Sequence, residues 1–273
     1  MATRIPGTLA PPTKPQLLLE SRAALDVLRM MPVLAGARLS APKDNAEQPI
    51  MVIPGFGSGD SYTRPLRYFL TRLGYPAVGW GLGRNLGGLD VDHQQSDVSE
   101  RWDMPRLEPY RREAGVPYVI DRLVERVTEF QQEFDRPVTL IGWSLGGFMA
   151  REVARDFPEL IDQVITMGSP TVGGPKYTAA ADWFRQRKIN LDWIERETAK
   201  RESTPISVPI TAIVSRSDAI VGWGAAQDQT SPSVRHIEVS ASHLGMGFNP
   251  TIWRHIREAL ARRGGDSAER QAA

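Results

Sequence analysis

Ser144 lies in Gly142-Trp143-Ser144-Leu145-Gly146, a serine with a glycine two positions to either side. A serine in this spacing can act as a nucleophile if the chain turns sharply enough to present its hydroxyl. The flanking residues predict such a turn. An apolar run holding Val138, Leu140 and Ile141 enters the motif as a strand, and Phe148 to Arg155 leave it as a helix. A strand running straight into a helix crowds the positions two before and two after the serine. Gly142 and Gly146 meet that need, and Gly147 allows still closer approach.

A serine hydroxyl is a weak nucleophile at neutral pH. It needs a base within hydrogen-bond reach, and the base needs a carboxylate to orient it. On a sheet with its nucleophile at such a turn, the acid and then the histidine come later in the chain. Asp218 fits the acid, just past the apolar strand Ile210–Val214 in Ser215-Arg216-Ser217-Asp218; its plainer role would be a capping carboxylate. Of the four histidines, His236, His243 and His255 follow the serine. His236 falls inside the alternating strand Val234–Val239, and His255 sits mid-helix between Trp253 and Ile256. His243, in the loop Ala241-Ser242-His243-Leu244-Gly245, is the base by elimination. A developing oxyanion needs two aimed donors. The N–H of Leu145 is one, and the N–H of Phe56, in the glycine-rich Pro54-Gly55-Phe56-Gly57-Ser58-Gly59, is the other. A nucleotide loop is the rival reading of that stretch, but its spacing matches neither a dinucleotide fingerprint nor a P-loop.

The elements that must position these residues alternate strand with helix, which predicts a parallel sheet covered on both faces. Strands are expected at 50–53, 76–80, 137–143, 163–167, 208–214 and 234–239, and helices at 61–73, 116–134 and 251–262. Residues 81–115 read as a long polar loop. Residues 171–206 interrupt the alternation with two short amphipathic segments, around Tyr177–Gln186 and Leu191–Lys200. Three units follow: an arm with an amphipathic helix over 1–47, the main domain over 48–263, and a flexible tail over 264–273.

With 273 residues, 41% hydrophobic and 24% charged, the chain can bury a full core. Lys+Arg is 33 against Asp+Glu 32, and the arginines are scattered among acids, so no nucleic-acid partner is expected. There is no cysteine, which excludes disulfides and thiolate chemistry, and the histidines lack metal-ligand spacing. No signal peptide or transmembrane segment is seen, so a cytoplasmic location is expected. The stretch Leu17–Leu34 could pack on the core, roof a pocket or lie peripherally on a membrane or lipid surface; its spread charges favour packing.

The elbow, the Gly-Phe-Gly loop, Ser217-Asp218-Ala219-Ile220-Val221 and Ser242-His243-Leu244-Gly245 together resemble the α/β-hydrolase family, and within it bacterial lipases and carboxylesterases. The resemblance covers roughly residues 48–263 and departs at Pro54-Gly55, where many lipases carry His-Gly. It implies an eight-stranded, mostly parallel sheet with helices on both faces, a Ser144–His243–Asp218 triad, oxyanion donors at Phe56 and Leu145, and no cofactor. It also implies a helical lid inserted at 171–206, whose Tyr177, Trp183, Phe184, Ile189, Leu191 and Trp193 could roof an apolar acyl pocket. Trp143 and Met246, as sequence neighbours of the nucleophile and the base, complete the expected pocket with Trp183 and Phe184. The expected activity is hydrolysis of small-molecule or lipid carboxylic esters with apolar acyl groups. An acyltransferase, an amidase or peptidase, and an inactive binding module remain alternatives.

Overall fold

Four consecutive apolar residues, Ile50–Ile53, open the sheet as β1, buried on both faces. Ile50 and Val52 point to one side and Met51 and Ile53 to the other, as a strand's two-residue period requires. The computed structural model describes residues 9–36 and 48–272. The remaining strands are β2 (Ala77–Gly79), β3 (Val138–Trp143), β4 (Ile161–Met167), β5 (Ile210–Ser215) and β6 (Val234–Val239). They form one sheet in the order β2-β1-β3-β4-β5-β6, every neighbouring pair parallel.

The sheet has six strands among the described residues, not the eight that the family resemblance implied. Residues 14–36, which precede β1, fold instead as a 3-10 helix (Lys14–Arg22) running into α1 (Ala23–Gly36). Of the expected arm over 1–47, residues 1–8 and 37–47 lie outside the described residues.

Helices cover both faces. α1, α2 (Asp60–Arg72) and α7 (Pro250–Ala272) pack on the Ile50/Val52 side through Met30, Leu66, Phe69, Trp253 and Ile256. α3 (Gly115–Phe134) and α4 (Leu145–Asp156) pack on the other, with Ile120, Leu123, Val127 and Phe130 of α3 at helical spacing. α4 begins three residues earlier than its glycines suggested, because the sharp turn leads directly into helix. α7 runs through to Ala272.

β1 leads to β2 on one side, whereas β3, on the other side of β1, leads to β4. The loops after β1 and β3 therefore diverge from adjacent strand ends, with Ile53 beside Gly142. Such a reversal leaves a crevice at the carboxyl edge of the sheet.

The segment between β4 and β5 carries α5 (Ala181–Gln186) and α6 (Leu191–Arg201). It is fastened to α4 by a buried ionic network. Arg151 is fully buried and pairs with Asp228 and, at 2.9 Å, with Glu202. Arg155 bonds Glu152 at 3.2 Å and Glu202 at 2.5 Å, while Arg201 of α6 pairs with Glu152 and, at 2.7 Å, with Asp156. Burial opposes the Asp228 charge, but Arg151 and the N–H groups of Ser231 and Thr230 outweigh it and hold the carboxyl below its ordinary value. Asp228→Asn leaves buried Arg151 with Glu202 but without its second carboxylate partner, and is expected to cost about 3 kcal/mol in a urea unfolding curve. In the wild type this contribution is complete above the ordinary carboxylate range. It fades as pH falls through the lower folded-state value, so the variant and wild-type curves should converge in acid.

Candidate active site

Ser144 connects β3 to α4 with φ 55° and ψ −124°, a region that side-chain-bearing residues rarely occupy. Its N–H donates to the Met167 carbonyl at 2.8 Å, which ties the turn to β4. A side chain at Gly142 would overlap Gly147, and one at Gly146 would overlap the Ile53 carbonyl, so strand, helix and β1 meet here without side chains between them. Leu145 is the first residue of α4, and its N–H has no partner within the helix.

The loop after β1 lies against this turn. A Cβ on Gly55 would stand 2.8 Å from the Trp143 ring and 2.9 Å from the Ser144 Cβ. Buried Asn85 fixes the loop: its Nδ2 donates to the Pro54 carbonyl, its N–H donates to Ser58, and its carbonyl accepts from Gly57, each at 2.7 Å. Among the described residues no backbone carbonyl accepts from Phe56. The loop that carries Phe56 thus lies against the turn that leads into Leu145.

Asp218 accepts from the N–H groups of Ile220 and Val221 at 2.8 and 2.7 Å through Oδ1, leaving Oδ2 for His243 Nδ1 at 2.7 Å. Both side chains are buried. Gly168, at the end of β4 with φ 54°, makes room for the pair. A Cβ there would meet Asp218 Oδ2 at 2.7 Å, the Met246 sulfur at 2.8 Å and His243 Nδ1 at 3.1 Å.

Several elements grip the His243 loop. Ser215 of β5 donates to the Ala241 carbonyl at 2.7 Å. Trp143 donates from Nε1 to the His243 carbonyl at 3.1 Å and stacks on Tyr62 at 4.0 Å. Tyr62 donates to the Leu244 carbonyl at 2.7 Å, and burial raises its phenol so that it stays a donor at all ordinary pH values. From the N-terminal 3-10 helix, the Glu20 carboxylate accepts from the N–H groups of His243 at 3.0 Å, Leu244 at 2.8 Å and Ala219 at 3.1 Å.

Ser144, His243, Phe56 and Leu145 open into one cavity of about 330 Å³ with apolar walls. Trp143 and Phe184 line it, together with Ile189, Trp193 and Ile194 from the insertion. The other two expected pocket residues lie elsewhere. Met246 is fully buried beneath the Asp218–His243 pair, on the core side, and Trp183 is 37% exposed. Trp183 edges onto Phe56 at 5.8 Å and faces an outer groove of about 890 Å³. The stretch 81–115, read from sequence as a polar loop, supplies Leu86, Leu89, Trp102 and Met104 to the inner cavity. Its apolar residues show no period that would mark them as a wall. Arg84, Arg111, Arg112 and Arg187 line the outer groove, opposed there by a single acid, Asp90.

The other histidines lie apart. His93 is buried with the Tyr110 hydroxyl 2.8 Å from its Nε2, His236 is on β6, and His255 pairs with Glu258 at 3.1 Å. Among the described residues no group of His, Asp and Glu could hold a metal, and no helix is long and apolar enough to cross a membrane. Glu20, Asn85, Tyr62 and Gly168 were not singled out from sequence. Glu20 was visible as a charge within an apolar stretch; the others carried no local signal.

A family model described as alpha/beta hydrolase fold matches residues 93–211. No curated protein sequence matches the chain. Among solved structures, one described under LipS and LipT, two metagenome-derived lipolytic enzymes, superposes with a TM-score of 0.55 at 13% identity, covering 80% of this chain and 95% of that one. A bacterial membrane phospholipase A gives 0.53 at 14% identity, over 90% and 96%. The monoacylglycerol lipase of Paleococcus ferrophilus gives 0.51 at 14% identity, over 79% and 96%.

Gly168→Ala places a methyl group at positive φ against both Asp218 and His243. It is expected to separate the pair, seen as loss of the downfield imidazole proton in ¹H NMR, and to lower thermal stability by about 1–2 kcal/mol.

Proposed function

We propose that this chain, an α/β-hydrolase-fold protein by its sheet order and its family match, is a serine hydrolase of carboxylic esters with apolar acyl groups. The observation that carries the reading is Ser144 on a strained strand-to-helix turn, opening into the same apolar cavity as a histidine whose Nδ1 lies 2.7 Å from Asp218. Ser144 Oγ attacks the acyl carbonyl as His243 Nε2 takes its proton. Asp218, held by two backbone donors of its own, keeps the imidazole in the matching tautomer and stabilises its charged form. The oxyanion is received by the N–H groups of Leu145 and Phe56. The alcohol leaves with the proton from His243, and water repeats the sequence to release the acid and restore Ser144. The chemistry calls on no cofactor.

A cavity of about 330 Å³ stands at the small end of the usual range for ligand pockets, about 300–1,000 Å³. That size favours one acyl chain of medium length over a two-chain lipid filling it. The insertion at 171–206 acts as the roof. α6 is fixed to α4 through Arg201, so any opening motion falls to α5 and the turns around it. Leu18, Leu25, Leu28 and Met31 stand exposed on the N-terminal helices and support peripheral contact with a lipid surface.

Hydrolysis of p-nitrophenyl esters from acetyl to palmitoyl tests the reading. Turnover should peak at medium chain length and fall about 10⁴- to 10⁶-fold in Ser144→Ala, with loss of fluorophosphonate labelling. Equal rates in wild type and variant would refute it. The four arginines of the outer groove, which shares Phe56, Leu86, Leu89 and Ile189 with the inner cavity, favour an anionic leaving group. An octanoyl ester bearing a free carboxylate on its alcohol should therefore show higher kcat/KM than its methyl-capped analogue. The advantage should shrink as salt rises from 0.05 to 0.5 M (about 14 to 4 Å screening length). A salt-independent ratio near one would rule out this preference.

A further inference from the structure

We infer that Glu20 is a positioning residue for the histidine and the acid, so that the N-terminal segment forms part of the working site. The inference rests on the Ser144–His243–Asp218 reading and adds a group that neither the motif nor the sheet supplies.

The contacts are specific. One carboxylate oxygen accepts from the His243 N–H at 3.0 Å and the Ala219 N–H at 3.1 Å, and the other from the Leu244 N–H at 2.8 Å. Ala219 follows the acid and Leu244 follows the base, so one side chain bridges the two loops whose separation sets the Asp218–His243 hydrogen bond. Backbone N–H groups on an ionised carboxylate make stronger bonds than neutral pairs do. A second carboxylate keeps the segment docked. Asp26 of α1 is buried and accepts from Asn249 Nδ2 at 3.1 Å, at the far end of the same loop. Helix and loop meet closely there, since a Cβ on Gly245 would overlap the Asp26 carboxylate.

The grip also matters because β5 and β6 end before these loops begin. Ser215 reaches Ala241, and Trp143 and Tyr62 hold the carbonyls of His243 and Leu244. Glu20 takes the N–H groups of the same two residues. The His243–Leu244 peptide unit is thereby held at both its carbonyl and its N–H, and the Ser242–His243 unit at its N–H, beside an imidazole bonded to Asp218. Besides Glu20, the titratable groups packed on this loop are Asp218, Asp26 of α1 and Tyr62 of α2.

The test uses the full chain with Glu20→Ala, Glu20→Gln and Glu20→Asp. Each is read by kcat and KM on an octanoyl ester, by the pH profile of kcat/KM, by the downfield proton shared between His243 and Asp218 in ¹H NMR, and by thermal melting. Glu20→Ala and Glu20→Gln should lower kcat by about 10- to 100-fold, the scale of a misplacement near 1 Å, with KM changed less than threefold. Glu20→Asp should recover part of the loss. In Glu20→Gln, removal of a negative charge beside the loop should move the acid limb of the profile to lower pH, and the shared proton should broaden or shift. A folded Glu20→Ala with wild-type kcat, pH profile and proton signal would overturn the proposal. So would an effect confined to KM, which would make the segment a wall of the substrate site. If the wild type turns over no ester, the hydrolase reading falls, while the proton signal across the variants still decides for or against the positioning role. Should Glu20→Ala melt below the assay temperature, Glu20→Gln, which keeps the side-chain volume, becomes the deciding variant.

Discussion

The backbone of Ser144 is held at φ 55° and ψ −124°, and that strain is the constraint from which the surrounding architecture follows. A conformation that costs of order 1–3 kcal/mol persists when its surroundings leave no relaxed alternative. Here β1, β3 and α4 meet without side chains between them at Gly142 and Gly146, and the serine N–H is bound to β4. Relaxing the turn would mean pulling α4 away from the sheet. The ionic network on the outer side of α4 opposes that, because Arg151 and Arg155 are buried with their partners and would lose them. The roof and the turn thus share one anchor. The charges that dock α6 are those that press α4 inward.

Around this fixed point the other groups are held by different means. The Asp218 carboxylate is aimed by the turn that follows it, through two N–H groups of its own chain. The β1 loop is aimed by a residue from the next connection, Asn85, which reproduces with its amide what a strand neighbour would supply. The His243 loop depends on four separate elements. Of these groups, the His243 loop has the most independent grips.

Legibility from sequence tracked the range of the interactions. The turn at Ser144 is written in a dozen consecutive residues, and the six strands show as apolar runs between glycine and proline punctuation. Asp218 and His243 could be found because chain order and strand ends restrict where such groups can stand. The family resemblance implied two strands more than the six found among the described residues, and the chain's own apolar runs gave no support for them. Trp183 and Phe184, adjacent on a six-residue helix, could not be assigned to an outer and an inner face, since so short a segment does not define a period. Trp102 and Met104 were hidden in a stretch whose charge made it read as loop. Glu20 was out of reach for a plainer reason: no local pattern connects residue 20 to residue 243.

That separation of 223 positions has a bearing on how the molecule comes together. Synthesis runs from the N-terminus, and elements close in sequence pair sooner than distant ones because their loops cost less entropy to close. β1 to β5 and their helices can assemble while residue 243 is still unmade, so the Ser144 turn can exist early. The Glu20 carboxylate gains its amide partners from the histidine loop only when residues 243 and 244 have emerged and β6 has added to the sheet. Site assembly therefore ends in a long-range closure that joins the first part of the chain to the last, and an incomplete chain can hold its serine without its histidine in place.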